Sequence, residues 1–250
     1  GEQADLTAAN NVLAHVPDIN DFVSGFAALL KPTGVSTFEF PHLLRLVSEN
    51  QFDTIYHEHY SYLSLTAVKK IFESNGLSVF DVETLSTHGG SLRVYAQRTD
   101  TESHKTSNNV IKILDQEKSA GINCVDFYAG FQSKADRVKN DFLSFLIEAK
   151  RAGKTVAGYG AAAKGNTLMN YAGVRQDLLS YVVDLNPAKQ DKFLPGSRIP
   201  IVGEKYIRKT QPDYVVIFPW NLRLEVVEQL SYIREWGAKF VVAVPELEVL

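Results

Sequence analysis

The densest concentration of chemically useful side chains is Tyr56-His57-Glu58-His59-Tyr60-Ser61-Tyr62, which sets two imidazoles, a carboxylate and three phenols within seven residues. An imidazole titrates near neutral pH, so a histidine beside a carboxylate suits removal of a proton from a carbon activated by a neighbouring carbonyl. The same run also fits a polar loop whose rings satisfy buried hydrogen bonds. If extended, it puts His57 and His59 on one face and Tyr56 and Glu58 on the other; if helical, it brings Tyr56 near His59 and Tyr60. A metal site would need a third ligand, yet no HExxH spacing occurs and one cysteine, Cys124, makes neither a disulfide nor a thiolate cluster. No metal is expected within these residues, and Cys124 reads as a small buried hydrophobe.

Three further positions carry possible chemistry. His15 closes the apolar stretch Ala9-Asn10-Asn11-Val12-Leu13-Ala14-His15-Val16, at the edge where doubly wound sheets bind ligands; it also fits a helix-start residue. His88 lies beside paired glycines in Thr87-His88-Gly89-Gly90-Ser91, which either let a backbone approach a ligand or simply make the turn. Gly158-Tyr159-Gly160-Ala161-Ala162-Ala163 follows an apolar strand and precedes a helix, matching G-x-G-x-x-[G/A]. Such loops admit a diphosphate at a helix N-terminus, with Lys164 adding charge and Asp184, ending the next strand, reaching ribose hydroxyls. Tight strand–helix packing without a ligand explains the same glycines.

The elements that must position these groups form two α/β blocks. Asp5 to Val16 reads as extended, a helix runs to Leu30, Val35 to Phe40 is a strand, and a short helix opens at Pro41-His42-Leu43. A helix over Ser64 to Asn75 stops at Gly76, and strands over Leu77–Leu85 and Ser91–Arg98 read as an antiparallel hairpin or a wider strand connection. Asp100 to Asn109 is polar and reads as a linker, which places one domain over residues 1–100 and a second over 101–250. Helical periodicity follows over Val110–Gly121 and Asp126–Arg151. Beyond Gly153 strands and helices alternate, as in a parallel sheet with crossover helices, a Rossmann-like unit.

The 250 residues, 45% hydrophobic and 22% charged, exclude disordered and collagen-like chains. A net charge of −3 provides no field for a nucleic-acid backbone. No apolar run approaches a membrane span and no signal segment opens the chain, so a cytoplasmic protein without membrane or nucleic-acid partners is expected. The opening Gly1-Glu2-Gln3-Ala4-Asp5 passes almost directly into apolar sequence, as if reading began inside a domain.

Taken in order, Asn10 to Val16, Glu39-Phe40-Pro41, Phe52 to Tyr62, Thr87 to Arg93 and Gly158 to Asn166 resemble the S-adenosylmethionine-dependent C-methyltransferases of nucleotide-linked 4-keto-deoxysugars. The resemblance covers nearly the whole chain. It implies three parts: an N-terminal zinc-binding module, a doubly wound class I methyltransferase domain and a Rossmann-like C-terminal α/β domain. This chain then holds the C-terminal half of the second part and all of the third. The zinc cysteines and the glycine-rich cofactor loop are absent from it, and a chain so truncated is expected to be inactive alone. By the same resemblance His59 is the base that removes the proton beside the sugar ketone, with an enolate as intermediate. Glu58, Tyr56 and His15 support it, Asn10, Asn11 and His15 remain of the cofactor site, and C3 is the methylated carbon. His88 borders the sugar, and Gly158, Tyr159, Gly160, Ala161, Lys164 and Asp184 face the nucleotide diphosphate. Two rival readings are an NAD-dependent oxidoreductase using the Gly158 loop and a non-catalytic nucleotide-sugar-binding module.

Overall fold

The computed structural model describes residues 2–101 and 103–250. Gly1, which begins the opening segment, and Glu102, within the expected linker, lie outside the described residues. The chain is mixed α/β and divides into two compact units, residues 1–49 with 57–130 and residues 50–56 with 131–250. The division thus falls at Gly130 rather than at residue 100. Helix α4 (Asn108–Ala120) is the reason, since its Val110 and Ile113 belong to the core of the first unit.

In the first unit, strands β1 (Ala4–Asn10), β2 (Leu30–Pro41), β3 (Leu77–Leu85) and β4 (Ser91–Arg98) form a sheet in the order β1-β2-β4-β3. β1 and β2 are parallel, joined by helix α1 (Ile19–Leu29), and β4 is antiparallel to both neighbours. Asp18 starts α1 by accepting from the amides of Asn20 and Asp21 at 3.1 and 3.0 Å. Ser64 caps helix α3 (Leu65–Ser74) through the Ala67 amide, while α2 (Leu43–Ser48) is a short helix after β2. Phe38, Phe40, Phe72, Leu65, Leu77 and Leu92 are fully buried between sheet and helices. The expected extension through Val16 stops at Asn10, because Asn11 turns the chain at φ 55° into a 3-10 turn over Leu13–His15.

The second unit carries helix α5 (Phe131–Arg151) and a sheet of β5 (Val156–Tyr159), β6 (Val182–Val183), β7 (Ile201–Val202), β8 (Tyr214–Ile217), β9 (Lys239–Val242) and β10 (Glu248–Val249). Its order is β10-β9-β8-β5-β6-β7, parallel throughout except for the β10–β9 pair. Helices α6 (Ala163–Tyr171), α7 (Lys205–Thr210) and α8 (Arg223–Gln229) complete it. Alternate residues bury both faces: Val156, Val182, Val216 and Val241 enter one core, and Ala157, Val183, Val215 and Phe240 the other. The expected helix from Asp126 breaks instead into a 3-10 turn, Val125–Tyr128, before α5 starts. Cys124, expected to be buried, is exposed at the head of that turn, whose own residues are not buried either. Among the described residues no helix is long and apolar enough to cross a membrane.

Candidate active site

The C-terminal end of β1 delivers the first group of site residues. Asn10 is exposed at the strand end; Asn11 donates its amide to the Glu39 carbonyl at 2.7 Å, and the turn that follows presents His15, whose amide bonds Val12 O at 2.8 Å. The segment after His57 is neither strand nor helix, so neither predicted face arrangement applies. Backbone bonds pin it instead, with Tyr60 N and Ser61 N both donating to Ala14 O at 2.8 and 3.3 Å. That places the His59 ring edge-on to His15, centroids 4.8 Å apart, with Tyr62 edge-on to His59 at 5.9 Å. His57 and Glu58 are exposed, and His59 and Tyr56 are half-buried, Tyr56 grouping with the second unit. Asn11 Oδ1 is buried without a hydrogen-bond partner among the described residues.

Sequence reasoning gave no role to Glu39, yet this buried β2 carboxylate organises the neighbouring turn. It accepts from Thr87 Oγ1 and from Arg93, each at 3.0 Å, fixing the residue before His88. His88 is exposed at φ 55° in the 3-10 turn Thr87–Gly89. Glu39 sits beside Asn10 in the β1–β2 register, a pairing that local sequence does not show.

In the second unit the Gly158 loop leaves β5 where the sheet's connections reverse, between β5 and β8. Its glycines are dictated by packing: a Cβ on Gly158 would lie 2.5 Å from the Phe218 ring, and one on Gly160 2.6 Å from Pro219. Tyr159 points into the core, where its hydroxyl donates to Gln229 at 3.1 Å and burial raises its pKa. The amides of Gly160, Ala161 and Ala162 already donate to Val183 O, Asp184 Oδ2 and Gly160 O. Asp184 therefore shapes the loop, and Lys189 joins it by bonding both Asp184 and the Ala161 carbonyl. The amides that remain for an anion are those of the first turn of α6, beginning at Ala163.

Lys164 in that turn donates to Asn221 Oδ1 at 3.0 Å and lies 4.2 Å from the centre of the Trp220 ring. Burial lowers its pKa, and the nearby Asp53 opposes the shift. Asp53 is almost fully buried; Oδ2 accepts from Trp220 Nε1 at 2.7 Å, while Oδ1 has no partner among the described residues. Burial pushes its pKa up to about 6, against the lowering effects of Trp220 and Lys164. Nothing in local sequence links Asp53 to Trp220, 167 positions away. Among the described residues no three His, Cys, Asp or Glu side chains cluster as a metal site would.

The architecture defines a mixed α/β protein with paired histidines at the C-terminal edge of a parallel strand pair and a second, mostly parallel sheet that opens into a glycine loop. Within that class the chain belongs to the C-methyltransferase family, whose C-terminal domain model matches residues 86–245; a methyltransferase domain model matches residues 1–82. It is 38% identical over 247 residues to C-methyltransferase NovU of Streptomyces niveus, a match taking in 99% of this chain and 59% of NovU. The chain thus spans about three fifths of that relative's length. Magnesium protoporphyrin IX methyltransferase from Synechocystis PCC 6803 with bound SAH is 20% identical over 40% of this chain and 47% of its own, with a TM-score of 0.32. The M1.HpyAVI–SAM complex is 13% identical over 40% of this chain and 47% of its own, with a TM-score of 0.24.

Proposed function

We propose that this chain carries the proton-abstracting machinery of an S-adenosylmethionine-dependent C-methyltransferase whose acceptor is a nucleotide-linked 4-keto-deoxysugar, methylated at C3. The observation that carries the reading is the edge-on contact of His15 and His59 at the end of β1, in a chain of the C-methyltransferase family. His59 takes the proton from the carbon next to the ketone, which an imidazole in contact with that carbon is basic enough to do. A His15 ring N–H stabilises the enolate oxygen as charge develops, and Glu58 supports the imidazolium.

The cofactor fits the residues present. The buried Asn11 Oδ1 needs an N–H or O–H donor, and the ammonium and ribose hydroxyls of S-adenosylmethionine are such donors, with Asn10 and His15 flanking it. When bound, the cofactor supplies an electrophilic methyl group for the carbon nucleophile. In the second unit, taken by itself, the first-turn amides of α6 together with Lys164 are assigned to a diphosphate group. Gly158, Gly160, Ala161 and Asp184 then act by holding the loop that leads into α6.

The test is transfer of labelled methyl from S-adenosylmethionine to a panel of nucleotide-linked 4-keto-6-deoxyhexoses by the chain joined to the N-terminal module and cofactor loop that the family resemblance implies, with His59→Ala alongside. Label on sugar carbon, reduced on the order of 10²- to 10⁴-fold in the variant, is the expected result. Undiminished transfer by His59→Ala would remove His59 as the base. Deuterium uptake at the ring carbon separates catalysis from mere sugar-nucleotide binding, and quenching of NADH fluorescence on titration would favour an oxidoreductase.

A further inference from the structure

We propose that Glu117 is a positioning residue of the active site: one fully buried carboxylate on α4 that fixes both the His57–Leu63 segment and the His88 turn. The inference rests on the function proposed above for those two segments. Glu117 is completely buried, in a helix whose neighbouring residues Asp115, Gln116 and Lys118 are ordinary polar surface types. Its Oε1 accepts from the Leu65 amide at 2.6 Å and from His42 Nε2 at 2.7 Å. Its Oε2 accepts from the Thr66 amide at 2.8 Å and from Thr66 Oγ1 at 2.5 Å. Burial would raise its pKa, but the hydrogen bonds from His42, Thr66 and the Leu65 amide outweigh that and hold it below the ordinary value. Glu117 is therefore an ionised acceptor, and His42 must present an N–H at Nε2.

Each partner leads to a site segment. Leu65 and Thr66 open α3 directly after Leu63 and its capping Ser64, so a carboxylate from another helix satisfies the orphan amides at the end of the His57–Leu63 segment. His42 pairs with Leu63 in an isolated parallel bridge, and the adjacent Leu43 amide donates to Leu63 O at 2.9 Å. The His42 amide donates to Gly90 O at 3.0 Å, which closes the turn carrying His88. At its other side the amides of Tyr60 and Ser61 tie the His57–Leu63 segment to Ala14 O. Glu117 thus bears on both loops: it satisfies the first amides of α3 directly, and through His42 it steadies the end of β2 against Gly90, where the β2–β4 and β3–β4 ladders also meet at Ser91.

The test compares wild type with Glu117→Gln, His42→Ala and His42→Gln. Glu117→Gln preserves volume but sets an N–H against an N–H at one end of the carboxylate, whereas His42→Gln restores a donor that His42→Ala deletes. Hydrogen exchange is read over residues 57–66 and 86–91, with β3 as the internal control. The expected result is exchange about ten-fold or more faster at both segments in Glu117→Gln, with β3 unchanged. His42→Ala should loosen residues 86–91 and His42→Gln should restore them. In the methyl-transfer assay kcat should fall on the order of 10²-fold in Glu117→Gln while the KM for S-adenosylmethionine stays within about two-fold. Exchange that quickens evenly across the first unit, with kcat per folded molecule preserved, would reduce Glu117 to structural support and overturn the proposal. If wild type methylates no acceptor in the panel, the proposed function fails. The exchange pattern then decides alone: opening confined to the two segments sustains the node, and unchanged segments refute it.

Discussion

His88 occupies the left-handed region, φ 55°, which an L side chain enters at a cost of about 1–2 kcal/mol. The conformation persists because its surroundings over-determine it: Thr87 is tied to Glu39, Gly90 N donates to Thr87 O at 2.9 Å, and Ser91 Oγ donates to the same carbonyl at 3.0 Å. Strain held this firmly at an exposed position is characteristic of residues that meet a ligand. His88→Asn and His88→Gly, which tolerate positive φ, should change unfolding free energy by less than about 0.5 kcal/mol, whereas the β-branched His88→Val should lose about 1–2 kcal/mol. Urea denaturation checks the stabilities. If His88 touches the sugar, all three variants lose kcat/KM together, including the two that are as stable as wild type. A purely architectural His88 would leave the asparagine variant fully active.

Two glycines inside helices show how differently an element uses the same residue. Gly165 in α6 lies against β8's end, where a Cβ would sit 2.6 Å from Phe218 Cγ; Gly25 in α1 has nothing within 4 Å of that position among the described residues. Gly165→Ala is expected to destabilise by about 1–3 kcal/mol through overpacking. Gly25→Ala should stabilise by about 0.5–1 kcal/mol, because alanine orders the helix without meeting a neighbour. Equal effects in chemical denaturation would mean that Phe218 does not crowd Gly165. Sequence makes the helices, the β3–β4 pair and the parallel second sheet legible, since periodicity and cap residues such as Asp18, Ser64 and Gly121 are local signals. It makes the glycine loop visible but leaves open whether ligand or packing requires the glycines, because Phe218 and Pro219 are distant in sequence. The same limit hides Glu117: helical spacing sets it on the face of Val110 and Ile113, but the partner that makes a carboxylate tolerable there, His42, is 75 positions away. The histidine pairing is equally hidden, for the bonds from Tyr60 N and Ser61 N to Ala14 O join stretches more than forty residues apart.

At the scale of the whole molecule, the two units carry buried carboxylates with opposite responses to acid. Asp53 in the second unit has a pKa raised to about 6 from its ordinary 3.8, so the folded state holds its proton more tightly than the unfolded chain. Its protonation contributes fully below the unfolded value and is lost as pH rises through about 6; a rise of that size corresponds to about 3 kcal/mol. Glu117 in the first unit has a lowered pKa, so its contribution is present above its ordinary 4.5 and is lost as pH falls through the lower folded value. Acidification from pH 7 toward pH 5 should therefore strengthen the second unit through Asp53 while leaving the Glu117 contribution intact; further acidification erodes the first. Asp53→Asn isolates the effect: the amide keeps an acceptor for Trp220 and removes the buried charge. Measured by hydrogen exchange over β5 and β8, the variant should be more stable than wild type at pH 8 by up to about 3 kcal/mol, less what Lys164 forfeits with its counter-charge, and the advantage should vanish near pH 4. A stability difference independent of pH would mean that Asp53 is not the group that titrates. An advantage that persists at pH 8 alongside reduced methyl transfer would mark Asp53 as a charge retained for function at the expense of stability.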